Sequence, residues 1–302
     1  SFFFYLFFFY LKIIIGVIFF AYMPVSYLMN FYLENQLGYT VLKAGMMLGI
    51  VSCISFFMSP IFGFISKKCG ARVTSLLAII FVFLGDLIFV FMNSSNNLKI
   101  IYTSFILMGF GIGATSPLYQ SAFEEIPQDK NGIASGILNS FRQLTACLAI
   151  ALVSTLSSHY TTQAIDNTKI RIIDTVNKNT VLEHQVKYTI YNKIKTSNTS
   201  NNIVFSKDMV DKLIEAREKR VLATVPNNRS AAVKKNFNVQ SKEIHNILNE
   251  ATSIKNDESN KIYNKCFLIT AIAAALGLIA VPFNKNKVWY EHGNNAIEIF
   301  LG

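Results

Sequence analysis

Apolar residues in this chain are gathered into long runs rather than spread in alternation, and the length of a run is what first predicts structure. Crossing about 30 Å of hydrocarbon takes roughly 20 helical residues at 1.5 Å each. Runs of about that length fall near residues 11–33, 41–65, 73–92, 98–119, 133–156 and 263–283, and each predicts a membrane-crossing helix. The connections "ENQLGYT", "SKKCGAR", "NSSNNLK" and "EEIPQDKNG" are short and carry Gly, Asn, Pro or charge, which marks turns. Short turns make antiparallel neighbours, so the expected fold is all-α: a transmembrane bundle of six helices. The opening "SFFFYLFFFY" fits the tail of another span, an interfacial piece or an appended remnant. The first residue is Ser, no basic region precedes this stretch and no small-residue cleavage site follows it, so a signal peptide is a poor reading and a fragment of a longer chain a better one.

Residues 158–262 break the pattern, being rich in Asn, Lys, Thr and Ser. Two amphipathic patches stand out. "SKDMVDKLIEAREKRV" has Ser206 as a candidate N-cap with Met209, Val210, Leu213, Ile214 and Val221 on one face, and "SKEIHNILNEA" repeats the pattern with Ile244, Ile247, Leu248 and Ala251. These helices either extend the flanking spans, pair with each other or stay mobile. The expected organisation is a five-span bundle over 1–157, a polar, partly helical insertion over 158–262, a last span over 263–284 and a tail over 285–302.

Composition agrees with a bilayer as solvent. Hydrophobic residues make up 52% and charged residues 15% of the 302, with 26 Phe and a mean hydropathy of +0.36, too apolar for an ordinary soluble domain. The net charge of +10 is concentrated: residues 158–262 hold about 17 Lys and Arg against about 11 Asp and Glu. Without a zinc-knuckle, RNP-type or helix-turn-helix signature, that charge does not point to nucleic acid. The four cysteines lie in or beside apolar runs and the four histidines are isolated, so neither disulfides nor a metal are expected. No nucleophile with its base and no phosphate-binding glycine loop is present, which argues against an enzyme, and no cofactor is expected.

Orientation follows from cations in short loops. Lys67, Lys68 and Arg72 lie between the second and third runs, and Lys285 and Lys287 follow the sixth. An even number of crossings separates the two sites, so both belong on the cytoplasmic side. Lys12 and Lys130 fall on that side too. Residues 158–262 then lie outside, the C-terminus is cytoplasmic, and the expected location is the plasma membrane.

The loop "GFISKKCGAR", Gly63 to Arg72, is simply a positive-inside turn on its residues alone. Its spacing also resembles the Gly-x-x-x-Asp-Arg-x-Gly-x-Arg signature between the second and third helices of each half of a major facilitator superfamily transporter, with Lys67 where that family usually has Asp. A wider resemblance covers "FYLENQLGYTVLKAGMMLG" and "GFGIGATSPLYQSAFEEIPQDKNGIASGILNSFRQLTACLAIAL". These are similar to the C-terminal six helices of fourteen-span drug:proton antiporters of the QacA and EmrB type. The matching positions are Gly38, Tyr39, Ala44, Gly45, Gly109, Gly111, Gly113, Pro117, Gly132, Ala134, Ser135, Gly136, Asn139, Arg142 and Gln143. QacA-like members also carry a long external segment before the last helix. The pattern departs at Thr145, Ala146 and Ala149, where glycine is common.

The resemblance implies exchange of a lipophilic, often cationic compound for a proton by alternating access. Its partners would be the bilayer, such compounds, and a missing N-terminal half or a second copy. The candidate for proton coupling, or for holding a substrate cation, is Asp86 in "VFLGDLIFVFM": a carboxylate inside a span must be protonated, paired or open to water. The bland alternative is a protonated Asp hydrogen-bonded between helices. Glu34, ending the first run, reads as a solvated helix-end carboxylate or a group at the outer mouth. Gly109 and Gly113 make a small-x-x-x-small ridge for close helix packing, and Pro117 kinks or ends its helix. Arg142 is expected to pair with Glu124, Glu125 or Asp129 or to reach headgroups, with Asn139 and Gln143 as further polar contacts in the gating region. The rival readings are a membrane-anchored sensor or interaction protein acting through 158–262, and a truncated transporter remnant without function.

Overall fold

The computed structural model describes residues 2–92, 97–124, 126–182, 184–196, 214–215, 218–223, 230–283, 286–292 and 295–301. The helices are α1 (Phe2–Asn35), α2 (Val41–Val90), α3 (Asn97–Gly113), α4 (Thr115–Glu124), α5 (Asn131–Lys178), α6 (His184–Thr196) and α7 (Ser230–Gly277), with a 3-10 segment at Leu278–Phe283. Four described stretches are long and apolar enough to cross a membrane: Phe9–Asn35, Val41–Val90, Leu98–Glu124 and Gln128–Lys178. The opening residues join α1 without interruption from Phe2. After 283, where only a tail was expected, β1 (Asn286–His292) and β2 (Asn295–Leu301) pair antiparallel, with Asn286 opposite Leu301.

The helix boundaries have local causes. Gly38, at φ 65°, turns the chain out of α1 while Leu37 N–H donates to the Tyr32 carbonyl at 3.2 Å. Thr40 then caps α2, its hydroxyl accepting from Lys43 N–H at 3.3 Å. At 50 residues, α2 is about twice as long as one crossing needs. Gly70, at φ 86° and ψ 166°, divides it into two arms. The separation expected between the second and third runs is therefore a single left-handed residue, a conformation only glycine adopts without strain. Between α3 and α4 the chain tightens: Ala114 N–H donates to Gly111 O at 3.3 Å. Pro117, in the first turn of α4, has no N–H to return to Gly113.

By contact the chain divides into two compact units, 1–158 with 263–302, and 159–262. In the first, Leu11, Ile14, Ile15 and Ile18 of α1 are buried with Ala78, Ile79 and Val82 of α2, Leu118 of α4 and Ala274 of α7. In hydrocarbon such contacts gain little from leaving the solvent, so close packing has to hold the helices together. Glycines supply it. A Cβ on Gly111 would meet Val82 Cγ2 at 2.6 Å and Ala78 O at 2.7 Å, and one on Gly277 would meet Val17 Cγ1 at 2.4 Å.

The second unit has its own core of Ile172, Val176, Leu182, Ile194, Ile247, Ala251 and Ile254, drawn from the later part of α5, from α6 and from the earlier part of α7. Of the three options for the amphipathic patches, extension of a flanking span is what the second patch shows, as part of α7. "SKEIHNILNEA" lies within α7; Ser206, Met209, Val210 and Leu213 lie outside the described residues. Glu258, with its side chain 7% exposed, accepts from Arg171 Nη1 at 3.0 Å and Lys261 Nζ at 2.7 Å.

Candidate functional site

Hydroxyl side chains in the apolar helices mostly satisfy themselves. Thr74 donates to Gly70 O, Ser75 to Ala71 O, Thr115 to Ile112 O and Thr145 to Phe141 O, at 2.7–3.2 Å. Asp86 has no such recourse. It is fully buried in the second arm of α2, and neither carboxyl oxygen has a hydrogen-bond partner. Thr270 of α7 stands beside it, but the Thr270 hydroxyl donates to Phe267 O at 2.9 Å and no bond of acceptable geometry joins the two.

The surrounding packing fixes this arrangement. Gly85 lets α3 come so close that a Cβ there would meet Met108 Cγ at 2.8 Å and Ser104 O at 3.2 Å. Ser104 is fully buried too, with its Oγ unpartnered. One turn on, Phe89 stacks on Phe267 at 4.8 Å and meets Phe105 edge-on at 5.7 Å, and beyond them Asn264 donates to Met92 O at 3.0 Å. Aromatic rings and this amide thus close the carboxyl off on the side of Met92.

The Gly63–Arg72 stretch is assembled differently from a tight loop. Lys67 and Lys68 are exposed, Arg72 is half-buried, and Lys68 Nζ lies 6.0 Å from the Phe64 ring centre. Gly63 has open space where a Cβ would be, so Gly70 alone here depends on being glycine. Glu34 is half-buried in the last turn of α1 and forms no ion pair among the described residues.

The glycines divide into filled and open. Gly109 and Gly113 receive the first arm of α2: a Cβ on each would lie 2.7 Å from Ile54 Cβ and 2.8 Å from Met58 Cβ. Gly45 and Gly49 on that same arm, and Gly132 and Gly136 on α5, meet nothing within 4 Å. The open faces continue through Ser52 and Cys53 on α2 and through Asn139, Ser140 and Gln143 on α5, all exposed. Of the most apolar window of α5 only 22% is buried, against 44–56% in the other three apolar stretches. Beside Gly113, an open groove of ≈ 570 Å³ is lined by Ser52, Ser55, Ser59 and Ser116 with Phe56 and Phe57. Sequence reading passed over this groove, although serines at i, i+3 and i+7 in an apolar helix were its visible signal.

Among the described residues Arg142 forms no ion pair with an acid, where pairing with Glu124, Glu125 or Asp129 was one expectation. Its guanidinium carbon lies 5.0 Å from the Phe19 ring centre and its side chain stands beside Tyr119. The buried Nε of Arg142 and the buried Tyr119 hydroxyl both lack a hydrogen-bond partner. Glu124 and Asp129 are exposed, and Glu125 lies outside the described residues. The reason is placement: Arg142 lies about three turns into α5, against α1 and α4, while Glu124 ends α4 and Asp129 precedes α5.

Comparison with known proteins agrees with this architecture. Residues 1–150 match the model of the Major Facilitator Superfamily. Over 143 residues the chain is 29% identical to the riboflavin transporter RibZ of Clostridioides difficile, covering 47% of this chain and 31% of that protein. It is 27% identical over 143 residues to the multidrug resistance protein Stp of Mycobacterium tuberculosis, covering 47% and 26%. It is also 27% identical over 139 residues to YvkA of Bacillus subtilis, an uncharacterised transporter of the same type, covering 45% and 31%. The match thus spans a third or less of each relative. Residues 1–150 of this chain are therefore similar to transporters of the Major Facilitator Superfamily.

Proposed function

We propose that this chain is the C-terminal half of a proton-coupled secondary transporter that expels lipophilic compounds by alternating access, with Asp86 carrying the proton. The single observation behind this reading is the buried, unpartnered Asp86 within transporter sequence. An isolated carboxylate in a low-dielectric interior is tolerated only when a proton or a cation accompanies it. Its neighbours offer hydroxyls and no fixed cation, which suits a group that is alternately protonated and ionised. The two arms of α2 count as separate crossings in this reading, giving six in all with α1, α3–α4, α5 and 263–283. Residues 159–262 then lie outside, and Lys67, Lys68 and Arg72 face the cytoplasm.

The multidrug name of Stp and the riboflavin name of RibZ mark cargo of different chemistry. The groove at Ser52, Ser55 and Phe56 suits either, offering hydroxyls to polar edges and rings to flat or cationic bodies. Opposite it, this half leaves an open wall, so transport requires a second half. Proton-driven dye efflux in everted vesicles tests the reading, with the chain fused to the N-terminal portion of a related fourteen-span antiporter. Asp86→Asn is expected to abolish efflux while protein levels hold. Unchanged efflux would remove Asp86 from the coupling chemistry.

A further inference from the structure

Arg142 and Lys12, both in the apolar helices, are not paired with acids among the described residues, and their surroundings have a common form. Arg142 stacks 5.0 Å over Phe19, and Lys12 stacks 4.8 Å over Phe141, the residue adjoining Arg142. A ring face attracts a cation without neutralising it, and an uncompensated cation at membrane depth marks a functional group. The buried Nε of Arg142 and the buried Tyr119 hydroxyl stand beside each other, and no hydrogen bond of acceptable geometry reaches either. Both can donate, and a guanidinium presents its donors in a planar fork that fits a carboxylate, sulfonate or phosphate.

Arg142 is also reachable. It is half-buried at the border of the open face of α5, and Asn139 and Gln143 beside it are exposed. We infer that Arg142 and Tyr119, with Lys12 adding positive field, form a binding site for the anionic oxygen group of an amphipathic molecule. The site does not use Asp86 or the serine groove, and it stands whether or not the chain couples transport to protons. A lipid phosphate and the acid group of a small soluble compound share this chemistry.

The test uses the full chain in phosphatidylcholine nanodiscs. Binding of 8-anilinonaphthalene-1-sulfonate is compared with that of its neutral analogue N-phenyl-1-naphthylamine, and empty discs are subtracted. Losing a charge-assisted contact is expected to weaken sulfonate binding about tenfold or more in Arg142→Gln and about threefold in Tyr119→Phe. The neutral analogue should keep its affinity in both. If Arg142→Gln fails to fold, Tyr119→Phe still decides, because it removes one hydroxyl and leaves the ring. Equal sulfonate affinity in wild type and Tyr119→Phe, or equal weakening of both probes, overturns the inference. With the anion preference established, competition by phosphatidylglycerol assigns the site to a lipid phosphate, and absence of competition assigns it to a soluble anion.

Discussion

Inside this bundle the cost of a polar side chain depends on whether it can reach a carbonyl of its own helix. Threonine and serine can, which is why Thr74, Ser75 and Thr145 sit there without consequence. Asp86 cannot, and its burial is what makes it worth testing. Glu258 is the contrasting acid, outside the apolar runs. Burial pushes its carboxyl up, but the hydrogen bonds and charges of Lys261 and Arg171 outweigh that and hold it below its ordinary 4.5. A lowered folded value means that the stabilisation is fully present above about pH 4.5 and is lost as pH falls through the folded value. Hydrogen-exchange protection of the unit's core helices should therefore exceed that of Glu258→Gln at pH 7 and approach it as the solution is made acid enough to protonate Glu258. A constant difference across that range would show that the ion pairs do not stabilise the unit. Asp86 was legible as a charge in an apolar run, because a carboxylate in such a run has few acceptable environments. Arg142 was legible as a cation, but its true neighbours were not. Phe19 and Tyr119 are distant in sequence, and only the packing of α1 and α4 on α5 brings them to it.

At the scale of elements, glycine decides which helices touch. Where a Cβ on Gly111 would strike Ala78 O and Val82 N, backbone has to move. Gly111→Ala should thus lower the stability of the detergent-solubilised chain by about 1–3 kcal/mol. Gly136→Ala, with nothing within 4 Å, should change it by less than about 0.5 kcal/mol. Thermal unfolding of the two variants checks the contrast, and equal losses would contradict this account of packing. Run length announced the apolar helices because crossing hydrocarbon fixes their length. It could not announce the single-residue break at Gly70 inside a continuous 50-residue helix, nor the tightening at Ala114. It also missed α6: in "HQVKYTIYNKIKT" the apolar positions Val186, Ile190 and Ile194 recur every fourth residue between charges, a signal masked by the polarity around it.

Within the unit of residues 1–158 and 263–302, the glycines separate packed helix faces from open ones. Gly16, Gly85, Gly109, Gly111, Gly113 and Gly277 are already occupied by neighbours, while Gly45 and Gly49 on α2 and Gly132 and Gly136 on α5 are not. The open faces mix Ser, Asn and Gln with Ile and Leu, a composition suited to a helix partner or a watery path rather than to lipid tails. The central claim is that these open faces border a transport pathway completed by a second half. Cys53, exposed on the ridge that follows Gly49, reports on it once Cys69 and Cys147, which are exposed as well, are replaced by Ser; Cys266 is buried. The decisive measurement is the reactivity of Cys53 in native membranes towards a small charged methanethiosulfonate, which needs water to react, compared with a lipophilic maleimide. The account predicts modification of Cys53 by the charged reagent, and loss of that reactivity when a companion half is locked against α2. Labelling by the lipophilic maleimide alone would put this face in lipid and contradict the claim.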